Sequence, residues 1–241
     1  DNREQLRTLI AGIAEAENAA GTVAQKIGDL YNMAMDSTAR NERGVEPIRP
    51  VLERIAALKS NKEVMPLVAE LSRKGMGSFC HVYIDADIMD SKQNLVQIYQ
   101  GGISLGEKEY YLDTDEATTA IREAYKKFCR KMFTLVGYDE ATAAKKTEAA
   151  YAIEKRIATA SYDRVKLRDI NANYHKMPYA QLVSDFPGID WPTIFWVSGF
   201  PAFDKIDVSQ PEPIHEVEKI LAETSLDDLK SYAELRIISG A

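Results

Sequence analysis

The stretch of this sequence that comes nearest to a catalytic motif is His215-Glu216-Val217-Glu218-Lys219. In the zinc peptidase motif H-E-x-x-H, two histidines four residues apart share one helix face and bind the metal, while the glutamate activates the bound water. Here the fifth position is Lys219, whose charged ammonium cannot bind zinc and would repel it. The stretch is therefore predicted to be a solvated helix face.

The remaining histidines, His81 and His175, do not complete a metal site, because all three lie far apart without ligand spacing. His81 alternates with apolar neighbours in a strand-like run, which predicts a hydrogen-bonded structural residue. His175 lies in a polar turn and is predicted to be exposed. A metal site would require the folded chain to bring the three together, so we carry no metal residue forward.

The sequence also contains no pattern typical of a catalytic nucleophile or of a phosphate-binding loop. Cys80 and Cys129 are predicted to be buried free thiols, since nothing places either of them beside a histidine. The glycines between residues 75 and 106 lack the strand–turn–helix context and the Lys-Ser/Thr helix entry of a phosphate loop. We therefore predict no catalytic residue, and we expect the chain alone not to be an enzyme.

Composition narrows the possible partners. Lys and Arg total 30 against 37 Asp and Glu, a formal net charge of -7 in 241 residues. A mildly acidic chain without a basic block is not expected to bind nucleic acid or an anionic membrane. No apolar run approaches the roughly 18–20 residues of a membrane span. The N-terminus has neither an initiator Met nor a signal peptide, so we interpret it as the start of a trimmed chain.

The elements that must position any site are mostly helices. Apolar residues recur with the 3.6-residue period of amphipathic helices across most of the chain. Two runs rich in β-branched and aromatic residues, 79–84 and 95–99, predict a pair of strands joined by a long turn. The predicted fold is mainly α, a multi-helix single body with one small β-hairpin near residues 79–100. We expect it to form one domain over residues 1–241.

Two of the predicted helices have more specific signals. A third helix is predicted to open at Glu46-Pro47, since proline suits the first turn of a helix. The helix that follows residue 114 is predicted to carry its apolar stripe on five side chains: Ile121, Ala124, Phe128, Met132 and Leu135.

Five segments, in order, resemble the N-terminal region of the neprilysin family, which includes endothelin-converting enzymes and bacterial endopeptidase O. They are KIGDLYNMAMD at 26–36 with RGVEPI at 43–48, GISLGEKEYYL at 102–112, YHKM at 174–177 with AQL at 180–182, IDW at 189–191, and LDDLKSYAELR at 226–236. The chain departs from the family pattern at Ala34, where vertebrate members carry a disulfide cysteine, and at Gly106, where proline is usual. The residues that carry the resemblance are interpreted as structural, and they are Tyr31, Met35, Gly44, Pro47, Gly102, Leu105, Tyr110, Tyr111, Tyr174, Met177, Asp190, Trp191, Leu229, Tyr232 and Arg236.

The resemblance implies a role without chemistry of its own. The family's catalytic motifs, including H-E-x-x-H, are absent from this chain, so zinc is expected only in a separate catalytic domain of the same polypeptide. The helical domain of the family caps that catalytic domain and encloses a chamber that admits small peptides. Family resemblance also implies an extracytoplasmic location, periplasmic or at the surface of a bacterial cell. The alternative left open by the sequence is a helical interaction or scaffold module with no associated enzyme.

Overall fold

The computed structural model describes residues 1–240 and is mainly helical with one small sheet, which confirms the predicted fold class. The contacts divide the chain into two compact units, the first Asp1–Pro47 and the second beginning at Ile48. The physical reason lies in the first unit, whose long helices find their main partners in each other.

The first unit consists of α1 (Asn2–Glu15), α2 (Val23–Met35) and α3 (Ser37–Arg43). Each helix begins at a side-chain cap, since Asp1, Thr22 and Asp36 accept a hydrogen bond from a first-turn backbone N–H. Gly28 is the only fully buried residue of the unit. Most of its large apolar side chains are instead exposed: Leu6, Leu9, Val23, Ile27, Leu30, Met33 and Met35.

Nine α-helices form the helical part of the second unit over the residues that the structure describes. The helices are α4 (Arg49–Ala56), α5 (Val64–Ser72), α6 (Glu109–Leu112), α7 (Glu116–Leu135), α8 (Glu140–Ala160), α9 (Tyr179–Asp185), α10 (Trp191–Val197), α11 (Pro211–Glu223) and α12 (Leu226–Ile238). The helix expected to open at Glu46-Pro47 begins at Arg49 instead, with Pro50 in its first turn. Either proline satisfies the same first-turn preference.

The core of this unit forms around α8, which packs against α7, α11 and α12. The short connection between α7 and α8 makes them neighbours along the chain and in space. The largest fully buried side chains include Phe133, Ile157, Trp191 and Tyr232. Burying a large apolar side chain of this kind contributes about 1.5–3 kcal/mol, so the cluster supplies most of the driving force for folding.

The apolar stripe predicted for α7 is not the face of the helix that packs in the core. Ile121, Phe128 and Leu135 are exposed to solvent, whereas the face that enters the core carries Cys129 and Phe133. Apolar residues occupy two faces of this helix, so the periodicity alone did not identify which face is buried.

The predicted hairpin is present as β1 (Cys80–Asp87) and β2 (Asp90–Gln100), paired antiparallel. It belongs to a four-stranded sheet in the order β1-β2-β4-β3, completed by β3 (Lys176–Pro178) and β4 (Lys205–Val208). β4 runs parallel to β2 and antiparallel to β3. These added strands of three and four residues are too short to show a period in the sequence.

Candidate functional site

The three histidines occupy separate parts of the second unit. His81 lies at an exposed position of β1, where its backbone pairs with Tyr99, but within residues 1–240 its imidazole has no hydrogen-bond partner, so the predicted side-chain hydrogen bond is wrong. His175 is half-buried rather than exposed, and its Nδ1 lies 3.1 Å from the Val208 carbonyl. His215 is partly exposed on α11, where it stacks on Phe186 at 4.3 Å.

Within the stretch that resembles a zinc motif, His215 contacts a glutamate of its own helix. Its Nδ1 lies 3.0 Å from Glu218 Oε2, so the ring is held by a neighbour on the same helix. Over the part of the chain that the structure describes, no group of three or more His, Cys, Asp or Glu side chains is placed to hold a metal ion. No helix of residues 1–240 is both long and apolar enough to cross a membrane.

Both cysteines are free and buried. Burial raises the pKa of each thiol to about 12, so neither is a thiolate near neutral pH. Because the thiolate is the nucleophilic form, these residues are structural rather than reactive.

The most unusual polar group in the core is the carboxyl of Glu154 on α8, which is fully buried. Ser104 Oγ donates to Oε1 at 2.6 Å, and the hydroxyls of Tyr111 and Tyr125 donate to Oε2 at 2.8 and 2.9 Å. The Arg236 Nη1 atom lies 3.8 Å from Oε1. We call these five side chains the Glu154 hub.

In the Glu154 hub, the free-energy cost of removing the carboxyl from water is offset by hydrogen-bond donors that surround it. Burial raises the pKa of Glu154 above its ordinary range, while the three hydroxyls and the Arg236 guanidinium oppose that shift. A buried carboxyl with several good donors fixes one arrangement of its neighbours, since losing any donor leaves a polar atom unsatisfied. The hub thereby joins α7, α8, α12 and the loop before α6.

Several residues that carry the family resemblance meet at this hub. The Tyr111 hydroxyl also accepts the backbone N–H groups of Ser104 and Leu105, at 3.0 and 3.1 Å. Tyr232 on α12 is fully buried and its hydroxyl donates to the Gly102 carbonyl at 2.9 Å. Tyr111, Tyr232 and Gly102 are among the motif residues interpreted as structural from the sequence. In the structure they belong to one hydrogen-bonded assembly.

Gly102 is required where the loop passes between β2 and α12. Its φ is +79°, and an added Cβ would lie 2.7 Å from the Phe79 carbonyl and 2.9 Å from the Tyr232 hydroxyl. An L side chain would therefore meet backbone strain and a steric clash at the same position.

The motif at 174–177 lies away from the Glu154 hub and binds the buried carboxylate of Asp87. The Tyr174 hydroxyl donates to Asp87 Oδ1 at 3.0 Å, and Lys176 Nζ lies 2.5 Å from Oδ2. Asp87 is buried at the end of β1, and the hydrogen bond from Lys176 is the largest of the effects that lower its pKa to about 2. Tyr174 and Lys176 thus fasten β3 to the end of the hairpin.

The other motif residues support separate elements. Asp190 caps α10, where its side chain accepts from the Thr193 N–H at 3.2 Å, and Trp191 is fully buried beside it. Leu229 is fully buried on α12, whereas Tyr110 is partly exposed on α6. Leu105 and Met177 are half-buried. In the first unit, Gly44 ends α3 at a φ of +50°, and the last three motif residues lie at its surface or partly exposed: Tyr31, Met35 and Pro47.

The exposed face of α7 is the clearest candidate for a partner surface in the second unit. Ile121, Phe128 and Leu135 recur every seven residues and are 40%, 44% and 61% exposed. That spacing aligns them along one side of a 20-residue helix, a length of about 30 Å. We call these three side chains the α7 stripe. A row of large apolar side chains in water is typical of a surface that another polypeptide covers.

Comparison with known proteins gives a consistent result. A family model described as peptidase family M13 matches residues 1–241. Rat endothelin-converting enzyme 1 is 24% identical over 226 residues, which covers 90% of this chain and 29% of that protein.

Solved structures agree in fold. The zinc metalloprotease Zmp1 of Mycobacterium tuberculosis, in complex with an inhibitor, superimposes with a TM-score of 0.88 at 33% identity over 98% of this chain and 36% of its own. PepO from Lactobacillus rhamnosis superimposes with a TM-score of 0.78 at 18% identity over 99% of this chain and 38% of its own, a likeness of fold. The chain therefore spans about a third of the length of these relatives.

Proposed function

Since this chain belongs to peptidase family M13, as its N-terminal region, we propose that it is the non-catalytic cap of a zinc metalloendopeptidase. In this proposal the cap walls a chamber and restricts substrates to small peptides. Zinc and the hydrolytic step belong to a catalytic domain in the same polypeptide, where zinc-bound water and a glutamate base would act. The protein would work outside the cytoplasm of a bacterial cell, in the periplasm or at the surface.

One observation carries the proposal. The family match extends over residues 1–241, while the chain covers only 36% of the Mycobacterium tuberculosis enzyme that shares its fold. Residues 1–240 contain no group of three or more His, Cys, Asp or Glu side chains placed to hold a metal ion, and the sequence contains no H-E-x-x-H. A region of this kind contributes shape and binding surface to the whole protein rather than a reacting group.

The α7 stripe is the surface we assign to the contact with the catalytic domain. Large apolar side chains that are about half exposed are costly to leave in water, and burying one contributes about 1.5–3 kcal/mol. Three such side chains along about 21 Å of the helix would contribute several kcal/mol to an interface. A cap held in this way could exclude large substrates because its helices would stand between the chamber and bulk solvent.

The test uses this chain and the catalytic domain of the same polypeptide, expressed separately and as one protein. Phe128→Asp places a charge in the α7 stripe, and Thr134→Asp is the matched control, because Thr134 is exposed on the same helix beside the stripe. We expect Phe128→Asp to weaken association of the separate parts by at least tenfold, about 1.4 kcal/mol, and Thr134→Asp to leave it unchanged.

Substrate length provides the second readout. The intact protein should cleave short peptides and spare a long unfolded polypeptide, and Phe128→Asp should relax that limit. Cleavage of the long polypeptide by the intact protein at the rate of short peptides would contradict the cap. Failure to bind any catalytic domain would favour the alternative, a helical scaffold module.

A further inference from the structure

The sheet of the second unit has one apolar and one polar face. Ile98, Ile206 and Val208 are fully buried on the apolar face, where the strands meet the core. Since neighbouring residues of a strand point to opposite faces, the residues between them line the other side. There, Gln97 of β2 pairs in register with Tyr83 of β1 and with Asp207 of β4.

This polar face is covered by the segment that follows α8. The Asn173 side chain donates to the carbonyls of Lys166 and Asp169, both at 2.7 Å, and accepts from Gln210 Nε2 at 2.7 Å. These bonds hold the segment in place above the sheet. Between the segment and the strands lies a cavity of about 200 Å³.

Asp207 is the charged group of this cavity. Its carboxylate is 4% exposed and accepts hydrogen bonds from the His175 N–H and the Ser209 hydroxyl, both at 2.6 Å. A carboxylate can accept about four hydrogen bonds, so acceptor capacity remains. Burial raises the pKa of Asp207, as expected for a carboxyl removed from water.

No Lys or Arg side chain of residues 1–240 forms an ion pair with Asp207, and the opposite charge that acts on its pKa is that of the neighbouring His175 ring. Lys176 is its register partner on β3, but the Lys176 ammonium binds Asp87 at 2.5 Å instead. The buried carboxylate of Asp87 is thus paired with a cation of the same chain. Asp207 lacks such a partner although it borders a cavity, so a cation from outside the chain would complete it.

The remaining walls define the shape of that cation. Three tyrosine rings border the cavity, and a ring face attracts an ammonium or guanidinium group. Aliphatic side chains form a further part of the lining and suit a hydrocarbon stem. The tyrosine and aliphatic residues are Tyr83, Tyr99, Tyr174, Ile88, Leu95, Leu167 and Ile170, and the uncharged polar residues of the lining are Gln97, Asn173 and Ser209. Asp207 is the only carboxylate among the described residues that line the cavity, and no group of three or more His, Cys, Asp or Glu side chains of residues 1–240 is placed to hold a metal ion.

We propose that this cavity binds a primary alkylammonium group, the side chain of a lysine in a polypeptide. A volume of 200 Å³ holds roughly six waters at ~30 Å³ each, which suits the five non-hydrogen atoms of a lysine side chain. Whole small-molecule ligands need roughly 300–1,000 Å³, so a single side chain is the better match. This site is a property of the chain itself and stands apart from its proposed role as a cap.

The test titrates the 241-residue chain with Nα-acetyl-lysine methylamide and, as the uncharged isostere, Nα-acetyl-norleucine methylamide. Binding is followed by amide chemical shifts in NMR spectra. We expect the lysine probe to bind at least tenfold more tightly, with shifts at Gln97, Asn173 and Ser209. Asp207→Asn should abolish that preference, whereas Asp85→Asn, an exposed strand position with the same change of charge, should retain it.

Tyr83→Leu supplies a second variant that does not alter the buried carboxylate, since Tyr83 is 36% exposed. It should weaken the lysine probe severalfold and leave the norleucine probe unchanged, because only the cation interacts with the ring face. Equal affinities for the two probes, or equal losses in Asp207→Asn and Asp85→Asn, would overturn the proposal. Neither result would bear on association with a catalytic domain.

Discussion

The Tyr111 hydroxyl makes three hydrogen bonds that no other group replaces, so Tyr111→Phe tests the structural role of the Glu154 hub. The substitution keeps the ring, which is 2% exposed, and removes one donor to Glu154 and one acceptor for the Ser104 and Leu105 N–H groups. A lost hydrogen bond contributes about 1 kcal/mol between neutral groups and 1.5–3 kcal/mol when one is charged. Ser104 and Leu105 are not buried, so water can reach their N–H groups.

Together these terms predict a loss of about 2–3 kcal/mol in the free energy of unfolding. Urea unfolding followed by circular dichroism measures it, and at an m-value of about 3 kcal/mol/M the midpoint should fall by about 0.7–1 M. Tyr151→Phe is the control, because that ring stacks on Tyr111 at 5.8 Å and should change stability by less than about 0.5 kcal/mol. Equal midpoints for the two variants would refute the assigned role of the hub.

Three further predictions concern the same region. Gly102→Ala should destabilise the chain by more than about 3 kcal/mol in urea unfolding, because strain and a clash coincide, whereas Gly106→Ala, at φ +83° in open space, should cost about 1 kcal/mol; equal losses would contradict the close approach at Gly102. The raised pKa of Glu154 means that the unfolded chain releases this proton at a lower pH than the folded chain, so wild type should lose stability relative to Glu154→Gln as pH rises above about 4.5; a difference that does not change with pH would contradict the shift. Cys80 and Cys129 should not react with a thiol reagent at pH 8 until urea unfolds the chain, and rapid labelling of the native protein would contradict their burial.

Helix periodicity predicted most of the helical architecture because a buried face repeats every 3.6 residues. It failed for α7, where Phe128 and Phe133 lie on different faces and are both large and apolar. One face packs in the core and the other is open to water, a distinction that depends on tertiary contacts. The hairpin was predicted from its long β-branched runs, whereas β3 and β4 contribute too few residues to form a pattern.

The Glu154 hub could not be predicted from the sequence. Glu154 lies in a helix rich in Ala, Glu and Lys, where a glutamate is ordinarily a solvated residue. The family resemblance did single out Tyr111 and Arg236, which lie beside that carboxyl, and Gly102, whose carbonyl accepts the Tyr232 hydroxyl. What the sequence lacked was the long-range pairing of α8 with α12 and the loop before α6. The cavity beside Asp207 was missed for the same reason, since it needs β4 next to β2.

Zinc content and peptide hydrolysis, measured on this chain alone and on the polypeptide that joins it to its catalytic domain, test the central claim most directly. The cap assignment predicts that the chain alone holds no stoichiometric zinc and cleaves no peptide, whereas the joined protein holds one zinc ion and cleaves short peptides. Tight stoichiometric zinc together with turnover by the chain alone would contradict it.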